Sequence, residues 1–469
     1  MNMPCLKEAR KRTKDEVITR NYNFSLDKKI KNKKFYIKTY GCQMNEHDSE
    51  NMRGILKKEL GMIEVDDMEN ADLIILNTCS IRENAHNKVF GMLGRIKHLK
   101  ISKKNIIVGL TGCMAQEEVV ANEVLNKYKW MDFVIGTHNI DKLKEIVLKS
   151  FAEKKLKIEA PSIEGEIIEH LPIDRDSKIK AYVNIMYGCD KFCTYCIVPY
   201  TRGKQRSRAK DDIINEVKDL VKNGYKEVTL LGQNVNAYGK DLDINYNMAN
   251  LLEDTAKTGI ERIRFMTSHP WDFTDEMIDI IARYDNIMPS IHLPVQSGNN
   301  KILKLMGRRY TKEEYLELFN KLKQKIKDVS ISTDIIVGFP GEGEEEFSDT
   351  MNLVKQCKYD LAYTFIFSKR VGTPAEKMKD NEKLEDKENR LYKLNDLVNK
   401  YALENNKKLE GKTVKVLVES ESSKPEYYMG YTDTNKLVNL KGTKDLIGKI
   451  VDVKIVEAKT WSLDGEYIK

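Results

Sequence analysis

The residues best suited to chemistry are three cysteines in one short segment, Cys189-Asp-Lys-Phe-Cys193-Thr-Tyr-Cys196. Their close spacing gathers three thiolates around one corner of a [4Fe–4S] cluster and leaves one iron without a protein ligand. That iron can bind a substrate or a cofactor. The alternative is a zinc site that recruits a fourth Cys or His from elsewhere in the chain, as tetrahedral zinc requires.

Three other cysteines, Cys42, Cys79 and Cys113, are far apart in the sequence but share a position in the predicted structure. Each lies within about three residues of the end of a predicted strand, and ligands bind beyond the carboxyl ends of the strands in an open α/β sheet. The three thiols are therefore expected to converge. They are either small buried apolar residues, as most free cysteines are, or the ligands of a second three-cysteine cluster, which we favour. The predicted strands are 35–40, 71–77 and 105–110.

The elements that must position these cysteines divide the 469 residues into several units, as expected for a chain too long for one core. The predicted class is α/β. The units are a polar, flexible extension (1–32), an open parallel α/β sheet domain (33–151), a linker (152–178), a partial (βα)6 barrel with a connecting helix (179–408) and a small all-β barrel (409–469).

Composition indicates a protein without a membrane anchor. Hydrophobic residues make up 41% and charged residues 32% of the chain, and no apolar run approaches the roughly 18 residues that span a bilayer. Residues 1–32 are polar and lysine-rich, without the apolar core of a secretion signal. We therefore expect a cytoplasmic protein that keeps its eight cysteines reduced.

The barrel block contains six predicted strands with polar tips at their carboxyl ends, where barrel enzymes place their functional residues. We expect these tips to line a cofactor and substrate cavity, although each has the composition of an ordinary turn. His269 is either a base or a structural histidine. The predicted strands are 181–186, 227–231, 262–266, 290–293, 331–337 and 363–367. The candidate cofactor-binding residues are Tyr195, Gln233, Asn234, Ser268, His269, Gln296, Gly338, Gly341 and Glu342.

Six ordered motifs resemble those of the radical S-adenosylmethionine (SAM) methylthiotransferases, most closely the bacterial MiaB type. The resemblance covers residues 33–469 and implies that the last block is similar to a TRAM RNA-binding domain. The aromatic Tyr195 before the last cysteine of the loop belongs to this signature. The motifs are residues 39–45, 77–82, 112–116, 189–200, 267–270 and 292–298.

The resemblance implies a transferase that converts N6-isopentenyladenosine at position 37 of tRNA, in the anticodon stem-loop, to its 2-methylthio derivative. It implies two [4Fe–4S] clusters as cofactors, held by Cys42, Cys79 and Cys113 and by Cys189, Cys193 and Cys196. One SAM would methylate a sulfur on the first cluster, and a second SAM would be cleaved at the other to a radical. An electron donor such as flavodoxin or ferredoxin is implied, and a monomer is expected.

Related branches act on threonylcarbamoyl-adenosine in tRNA or on a ribosomal-protein aspartate. Two other hypotheses are a non-catalytic iron–sulfur RNA-binding protein and a radical enzyme whose second cluster only relays electrons.

Basic and aromatic residues mark candidate RNA contacts. Lysines interleaved with Tyr427, Tyr428 and Tyr431 offer phosphate contacts and stacking faces, although a purely structural barrel explains them too. The alternative for the basic residues near the barrel mouth is solvated surface charge, but several are expected to contact tRNA phosphate. These are Arg202, Lys204, Arg206, Arg208, Arg308 and Arg309.

Overall fold

The computed structural model describes residues 1–10, 17–80, 83–153, 155–162 and 166–468. The first domain is a six-stranded parallel sheet in the order β3-β2-β4-β5-β6-β7, with helices on its faces. Its elements are α1 (Leu6–Ala9), β1 (Thr19–Asn21), β2 (Lys34–Tyr40), α2 (Gln43–Gly54), β3 (Ile63–Glu64), β4 (Leu73–Thr78), α3 (Glu83–Ser102), β5 (Ile107–Gly112), α4 (Glu118–Lys127), β6 (Phe133–Ile135), α5 (Leu143–Ala152), β7 (Lys157–Glu159) and β8 (Ile167–Glu169).

The central strands of this sheet follow from its parallel topology. Every residue of β4 and β5 is buried, because helices cover both faces of a parallel sheet. The chain runs from β2 to β3 on one side and returns to β4 on the other. The strand order therefore reverses between β2 and β4, where such sheets form a ligand crevice.

The amino-terminal extension was expected to be flexible, but its described parts are docked on the rest of the protein. The backbone of Asn2 bridges to Glu159 at the edge of the sheet, and β1 pairs in parallel with β8. The Arg10 guanidinium donates to the carbonyl oxygen of Gly372 in the second domain. Composition does not indicate these contacts, because main-chain pairing does not depend on apolar sequence; the flexibility of the extension stays a prediction.

The predicted linker, residues 152–178, contains regular structure. Its described residues include β7, the last strand of the first sheet, and β8. Both strands are only three residues long, and runs this short carry little periodicity in the sequence.

The second domain is the predicted partial barrel. Two three-stranded parallel sheets, β13-β12-β9 and β14-β15-β16, are joined by a bridge between Ile263 and Ile287. Its elements are β9 (Lys180–Asn184), β10 (Met186–Tyr187), α6 (Val198–Thr201), β11 (Arg206–Ser207), α7 (Lys210–Lys222), β12 (Glu227–Leu231), α8 (Met248–Ala256), β13 (Arg262–Phe265), α9 (Asp275–Arg283), β14 (Ser290–His292), α10 (Asn300–Leu305), α11 (Lys312–Lys325), β15 (Ser330–Val337), α12 (Glu344–Cys357), β16 (Leu361–Ile366) and α13 (Leu384–Lys407).

The barrel is open between β9 and β16, which pair with each other nowhere in the described residues. Helix α2 of the first domain packs against β9. The side chain of His47 on this helix is buried and hydrogen-bonded to Asn184 at the end of β9. The first domain therefore lies beside the opening.

The third domain is a closed five-stranded barrel in the order β17-β18-β19-β21-β20. It contacts the amino-terminal ends of the second domain's strands: Arg262 donates to two backbone carbonyls of the small barrel, and Lys180 pairs with Glu419. The strands are β17 (Thr413–Glu421), β18 (Tyr427–Thr432), β19 (Leu437–Lys441), β20 (Ile450–Ala458) and β21 (Leu463–Tyr467). Within the described part of the chain, no helix has the length and apolar character that crossing a membrane requires.

Candidate functional site

The dispersed cysteines, Cys42, Cys79 and Cys113, converge as the sequence predicts. Cys42 immediately precedes α2, Cys79 follows β4, and Cys113 follows β5 at the start of a short 3-10 helix. Burial raises the pKa of the Cys113 thiol to about 12, and the two other thiols contribute to this rise. Thiols that affect each other's ionisation lie close together, so the strand ends bring the three into one site.

An amide network fixes the backbone around these thiols. The Cys42 thiol donates to Asn45 Oδ1 at 3.4 Å, and the Asn45 amide donates to Asn77 Oδ1 and to the carbonyl oxygen of Thr78. Gly112 has φ +92°, and a Cβ there would lie 2.3 Å from the Thr78 carbonyl oxygen. Glycine is therefore required directly before Cys113. Ile81 and Arg82, the end of this sequence motif, lie outside the described residues.

Arg202 connects this site to the second domain. Its Nε lies 3.2 Å from Cys113 Sγ, and its Nη2 donates to Asp48 Oδ2 at 2.7 Å. Arg202 and Asp48 are both buried, with relative exposures of only 4% each. A buried cation beside a group of thiols stabilises the thiolate form that metal binding requires.

The loop cysteines, Cys189, Cys193 and Cys196, lie at the carboxyl end of β10, where the sequence places them. Cys189 N–H donates to the Gly203 carbonyl oxygen. The N–H and the hydroxyl of Thr194 donate to the carbonyl oxygens of Met306 and Leu305, respectively. Burial, with the charge of Cys193 adding to it, raises the pKa of Cys189 to about 11. Burial and the two other thiols also raise the pKa of Cys196. The loop cysteines therefore also form one close group.

Arg308 lies at the loop cysteines as Arg202 lies at the dispersed ones. Its Nη1 lies 3.4 Å from Cys193 Sγ, while its Nε donates to the Tyr310 hydroxyl and its Nη2 to the Pro294 carbonyl. Tyr195 packs edge-on against Phe339 at 6.3 Å. The loop is thus held by side chains of later segments of the barrel domain, Arg308 after α10 and Phe339 after β15.

Both groups fit iron–sulfur clusters better than single metal ions. Around one zinc ion, thiolate sulfurs lie about 3.8 Å apart, because each Zn–S bond is about 2.3 Å. Among the residues that the structure describes, no three His, Cys, Asp or Glu side chains are grouped closely enough for one ion. Cluster ligands bind different irons and are spaced more widely. Two all-thiol donor sets, each with a buried arginine, match that chemistry.

Four of the candidate cofactor residues present polar atoms at the carboxyl end of the barrel. All four are at least nine-tenths buried, and a buried polar atom without a partner is costly unless a ligand or water supplies one. Such a set fits a polar ligand like SAM. Within residues 166–468 the atoms without a hydrogen-bond partner include Asn234 Oδ1, Ser268 Oγ, His269 Nε2 and Glu342 Oε2.

His269 can be placed in one protonation state. Burial, followed by the charge of Arg308, lowers the pKa of this imidazole to about 2, so it is neutral at neutral pH. Its Nδ1 accepts the Trp271 N–H at 3.3 Å, which leaves the proton on Nε2. With Nδ1 occupied, His269 offers an Nε2–H hydrogen-bond donor to a ligand.

The other candidate cofactor residues shape the backbone. Gln233 Oε1 accepts the Gly188 N–H and fixes the start of the cysteine loop. Gln296 adopts φ +70°, a strained conformation for a residue with a side chain. Gly338 and Gly341 have φ +67° and +91°, and Gly338 N–H donates to Glu342 Oε1 at 2.6 Å.

Four of the six arginine and lysine candidates for tRNA contact are wrong. Their side chains are buried, and their charge serves internal contacts, as with Arg202 and Arg308 above and with Arg208, which pairs with Glu169 and Glu216. Lys204 is half-buried and Arg309 is exposed, so these two stay predictions. The four buried residues are Arg202, Arg206, Arg208 and Arg308.

Sequence reasoning missed an exposed aromatic residue at the barrel mouth. Trp271 is 50% exposed, with Lys191 Nζ 5.0 Å and the Arg309 guanidinium 5.6 Å from its ring. This combination suits contacts with bases and phosphates. The available signal was its position directly after the Thr267–Pro270 tip.

Three family models match consecutive parts of the chain. They are the radical SAM superfamily at residues 183–354, the family described as "Uncharacterized protein family UPF0004" at 34–136, and the TRAM domain at 407–468. The matches coincide with the barrel, the first domain and the small barrel.

Similar proteins extend over nearly the whole chain. Relatives named tRNA-2-methylthio-N(6)-dimethylallyladenosine synthase from Staphylococcus epidermidis and Staphylococcus aureus are 55% and 54% identical, over 99% of this chain and 91% of theirs. Among solved structures, the radical SAM methyltransferase TsrM from Kitasatospora setae, with tryptophan and a SAM analogue bound, has a TM-score of 0.51 at 13% identity. That match covers 73% of this chain and 75% of TsrM, and it shows a shared fold alone.

High identity over almost the full length of this chain establishes the relationship. The chain belongs to the tRNA-2-methylthio-N6-dimethylallyladenosine synthase family of radical SAM methylthiotransferases, enzymes that use [4Fe–4S] clusters and SAM.

Proposed function

We propose that this protein converts N6-dimethylallyladenosine at position 37 of tRNA to 2-methylthio-N6-dimethylallyladenosine. The observation that carries the proposal is a contact between a segment of the dispersed cysteine group and a segment that follows the loop cysteines. The 3-10 helix that begins at Cys113 packs against α6, which follows Cys196 closely. Arg202, directly after α6, contacts Cys113 itself. A base held between the two groups would lie within reach of the cofactors that both groups would hold.

Each cysteine group has its own role in this proposal. Cys189, Cys193 and Cys196 would hold the cluster at which SAM binds, and Cys42, Cys79 and Cys113 would hold the auxiliary cluster. When bound, these cofactors supply a 5′-deoxyadenosyl radical, a methyl group and sulfur, which carbon 2 of adenine needs because it is unactivated.

The remaining side chains bind and orient. His269 Nε2–H and Ser268 Oγ offer hydrogen bonds to polar groups of SAM, and Asn234 Oδ1 offers an acceptor. Arg308 and Arg202 stabilise negative charge at the two thiolate groups. The buried amides of Asn45 and Asn77 keep the dispersed thiols in place, as outer hydrogen bonds do around metal ligands.

The substrate is tRNA, and the finer account of partners is part of the proposal. The TRAM barrel, Trp271 and Arg309 bind the anticodon stem-loop. A flavodoxin or ferredoxin supplies electrons. The protein acts as a monomer in the cytoplasm, where its tRNA substrate is.

The test is anaerobic reconstitution of the clusters followed by reaction with SAM, a strong reductant and an anticodon stem-loop RNA containing N6-dimethylallyladenosine. Mass spectrometry of the nucleosides should detect the 2-methylthio product together with 5′-deoxyadenosine. The proposed substrate is contradicted if 5′-deoxyadenosine forms without the 2-methylthio product and an RNA containing threonylcarbamoyl-adenosine is modified instead. Neither product from protein with both clusters contradicts the enzymatic proposal.

A further inference from the structure

Two large aromatic side chains on the last barrel strand are unusually accessible. Tyr363 and Phe365 of β16 are 44% and 42% exposed. Scattered exposed apolar residues need no explanation, but residues two apart on a strand lie on the same face. These two rings therefore form one continuous aromatic surface on an edge strand of the barrel.

This surface faces the interior of the barrel. The residue between the two rings, Thr364, donates to Asn395 of α13, which packs along the outside of β16. Because alternate residues of a strand point to opposite faces, Tyr363 and Phe365 point away from α13 and into the open barrel.

The lower ring, Tyr363, lies in a polar setting. It pairs across the strands with Asp334, and its ring contacts His292 edge-on at 5.9 Å. His292 in turn lies 3.3 Å from Asp334 Oδ2 and 3.0 Å from Ser332 Oγ. The His292 ring therefore contacts both Tyr363 and the Asp334 carboxylate.

The upper ring, Phe365, is continuous with the cysteine loop. It pairs with Ile336, which lies on the interior face of β15. Ile336 and Tyr195 pack against the same small apolar cluster, which includes Phe339. Tyr195 directly precedes Cys196, so the aromatic surface runs from the barrel interior up to the loop where SAM is cleaved in the proposed function.

We propose that Tyr363 and Phe365 bind the N6-dimethylallyladenine base of the tRNA substrate after it leaves the base stack. This inference rests on the proposed function. An enzyme that modifies a base takes it out of the stack, and aromatic side chains bind unstacked bases by stacking. The two rings are about 7 Å apart along the strand, which matches a base together with its apolar substituent. With carbon 2 turned towards the loop cysteines, the N6 substituent points deeper, towards Tyr363.

Charge on this surface favours an uncharged substituent. The Asp334 carboxylate lies beside Tyr363, so the carboxylate of a threonylcarbamoyl group would meet a like charge there, and a dimethylallyl group would not. Arg264 faces the interior from the other sheet, where its charge acts on Tyr182 and Glu227. Asp334 thus contributes to the choice between the two modified adenosines.

The experiment uses the reconstituted holoenzyme with three stem-loop RNAs that differ only at the target adenosine: dimethylallyl, unmodified and threonylcarbamoyl. The variants are Y363A, F365A, F365L and D334N. The matched control is Y392A, which removes a 66% exposed tyrosine from α13. Iron content and 5′-deoxyadenosine formation without RNA verify folding and clusters in every variant.

For F365A and Y363A, KM for the dimethylallyl RNA should rise about 10-fold or more, with kcat changed much less. F365L keeps the apolar surface and should show a smaller rise, and D334N should improve kcat/KM for the threonylcarbamoyl RNA alone. Y392A should match the wild type. If F365A fails to fold, the KM of F365L for the dimethylallyl RNA tests the inference in its place. Unchanged KM in folded variants, while the wild type forms the 2-methylthio product, overturns the inference and leaves the proposed function standing. Failure of the wild type with the dimethylallyl RNA overturns both.

Discussion

The two cysteine groups reach similar chemistry by different routes. Cys189, Cys193 and Cys196 come from one loop, whereas Cys42, Cys79 and Cys113 follow three separate strands. The loop group depends on local backbone contacts and the dispersed group on correct assembly of a whole sheet. Each nevertheless has one buried arginine at hydrogen-bonding distance from a thiol. The difference teaches that a three-thiol site can come from one short segment or from the assembly of several strands. Only a site in one segment can be recognised from the spacing of its cysteines in the sequence.

The largest expected effect separates the two groups by function. Replacing all three loop cysteines with alanine should abolish both 5′-deoxyadenosine and the methylthio product, because SAM cleavage needs that cluster. The same change in the dispersed group should abolish the product but retain 5′-deoxyadenosine. Both are measured by mass spectrometry under anaerobic conditions.

Cys357→Ala is the matched control, since Cys357 is 4% exposed, as buried as Cys113, and lies on α12 away from both groups. It should keep both products. Loss of SAM cleavage in the dispersed-group variant would show that the groups are not functionally separate.

A second comparison concerns the arginine that joins the domains. Arg202→Gln should destabilise the protein by about 3–5 kcal/mol, because it leaves the buried Asp48 carboxylate without its partner. It should also lower iron at the dispersed group while the loop cluster is kept. Denaturant unfolding and iron analysis measure the two effects.

The control is Lys204→Gln in the same loop, where the side chain is only half-buried. It should change stability by less than about 0.5 kcal/mol. Adding Asp48→Asn to Arg202→Gln should restore part of the stability. If the free energy of unfolding does not recover in the double variant, the destabilisation by Arg202→Gln does not come from an unpaired Asp48 carboxylate.

Each region also contains a buried carboxyl group with a raised pKa. Burial raises the pKa of Glu50 in α2 and of Glu342 beyond β15 to about 7, from 4.5. The stability they contribute is fully present below the unfolded pKa and is lost as pH rises through about 7. The free energy of unfolding of the wild type should therefore fall between about pH 5 and pH 8. In Glu342→Gln this fall should be smaller by up to about 3 kcal/mol.

Unfolding of the protein without SAM, followed across this pH range, measures the effect. Glu50→Gln is the comparison in the first domain, and its curve should be flatter than wild type as well. Glu345→Gln, on the exposed face of α12, serves as control. Wild-type stability that rises over this range would contradict the sign for both groups.

The smallest effects are expected at the exposed barrel mouth. Arg309→Gln and Lys204→Gln should each weaken tRNA binding modestly and lower the dependence of affinity on salt by about one unit of slope or less, as loss of one phosphate contact does. Binding titrations between low and moderate salt measure this. An affinity that is independent of salt in the wild type would exclude a phosphate-based interface.

The sequence predicts the fold well where the pattern is long and local. The strands 35–40, 71–77 and 331–337 agree with β2, β4 and β15 within a few residues, because continuous or alternating apolar runs determine them. From these ends the convergence of the dispersed cysteines follows.

The errors concern contacts that no local pattern contains. Arg202 looks like a surface charge until Asp48, 154 residues earlier, is brought beside it. The orphaned polar atoms of Ser268 and Glu342 depend on burial that the whole barrel creates. Tyr363 and Phe365 lie on β16, an edge strand of the barrel, and strand periodicity alone does not reveal which strands remain unpaired.

The docking of residues 2–10 has a consequence for synthesis on the ribosome. Arg10 contacts Gly372, a separation of 362 residues, and at 5–20 residues per second the chain needs roughly 20 to 70 s to cover that interval. During this time residues 2–10 have no complete docking surface. They can join the first two domains only after Gly372 has been synthesised, so their docking is a late, long-range step in the assembly of these two domains.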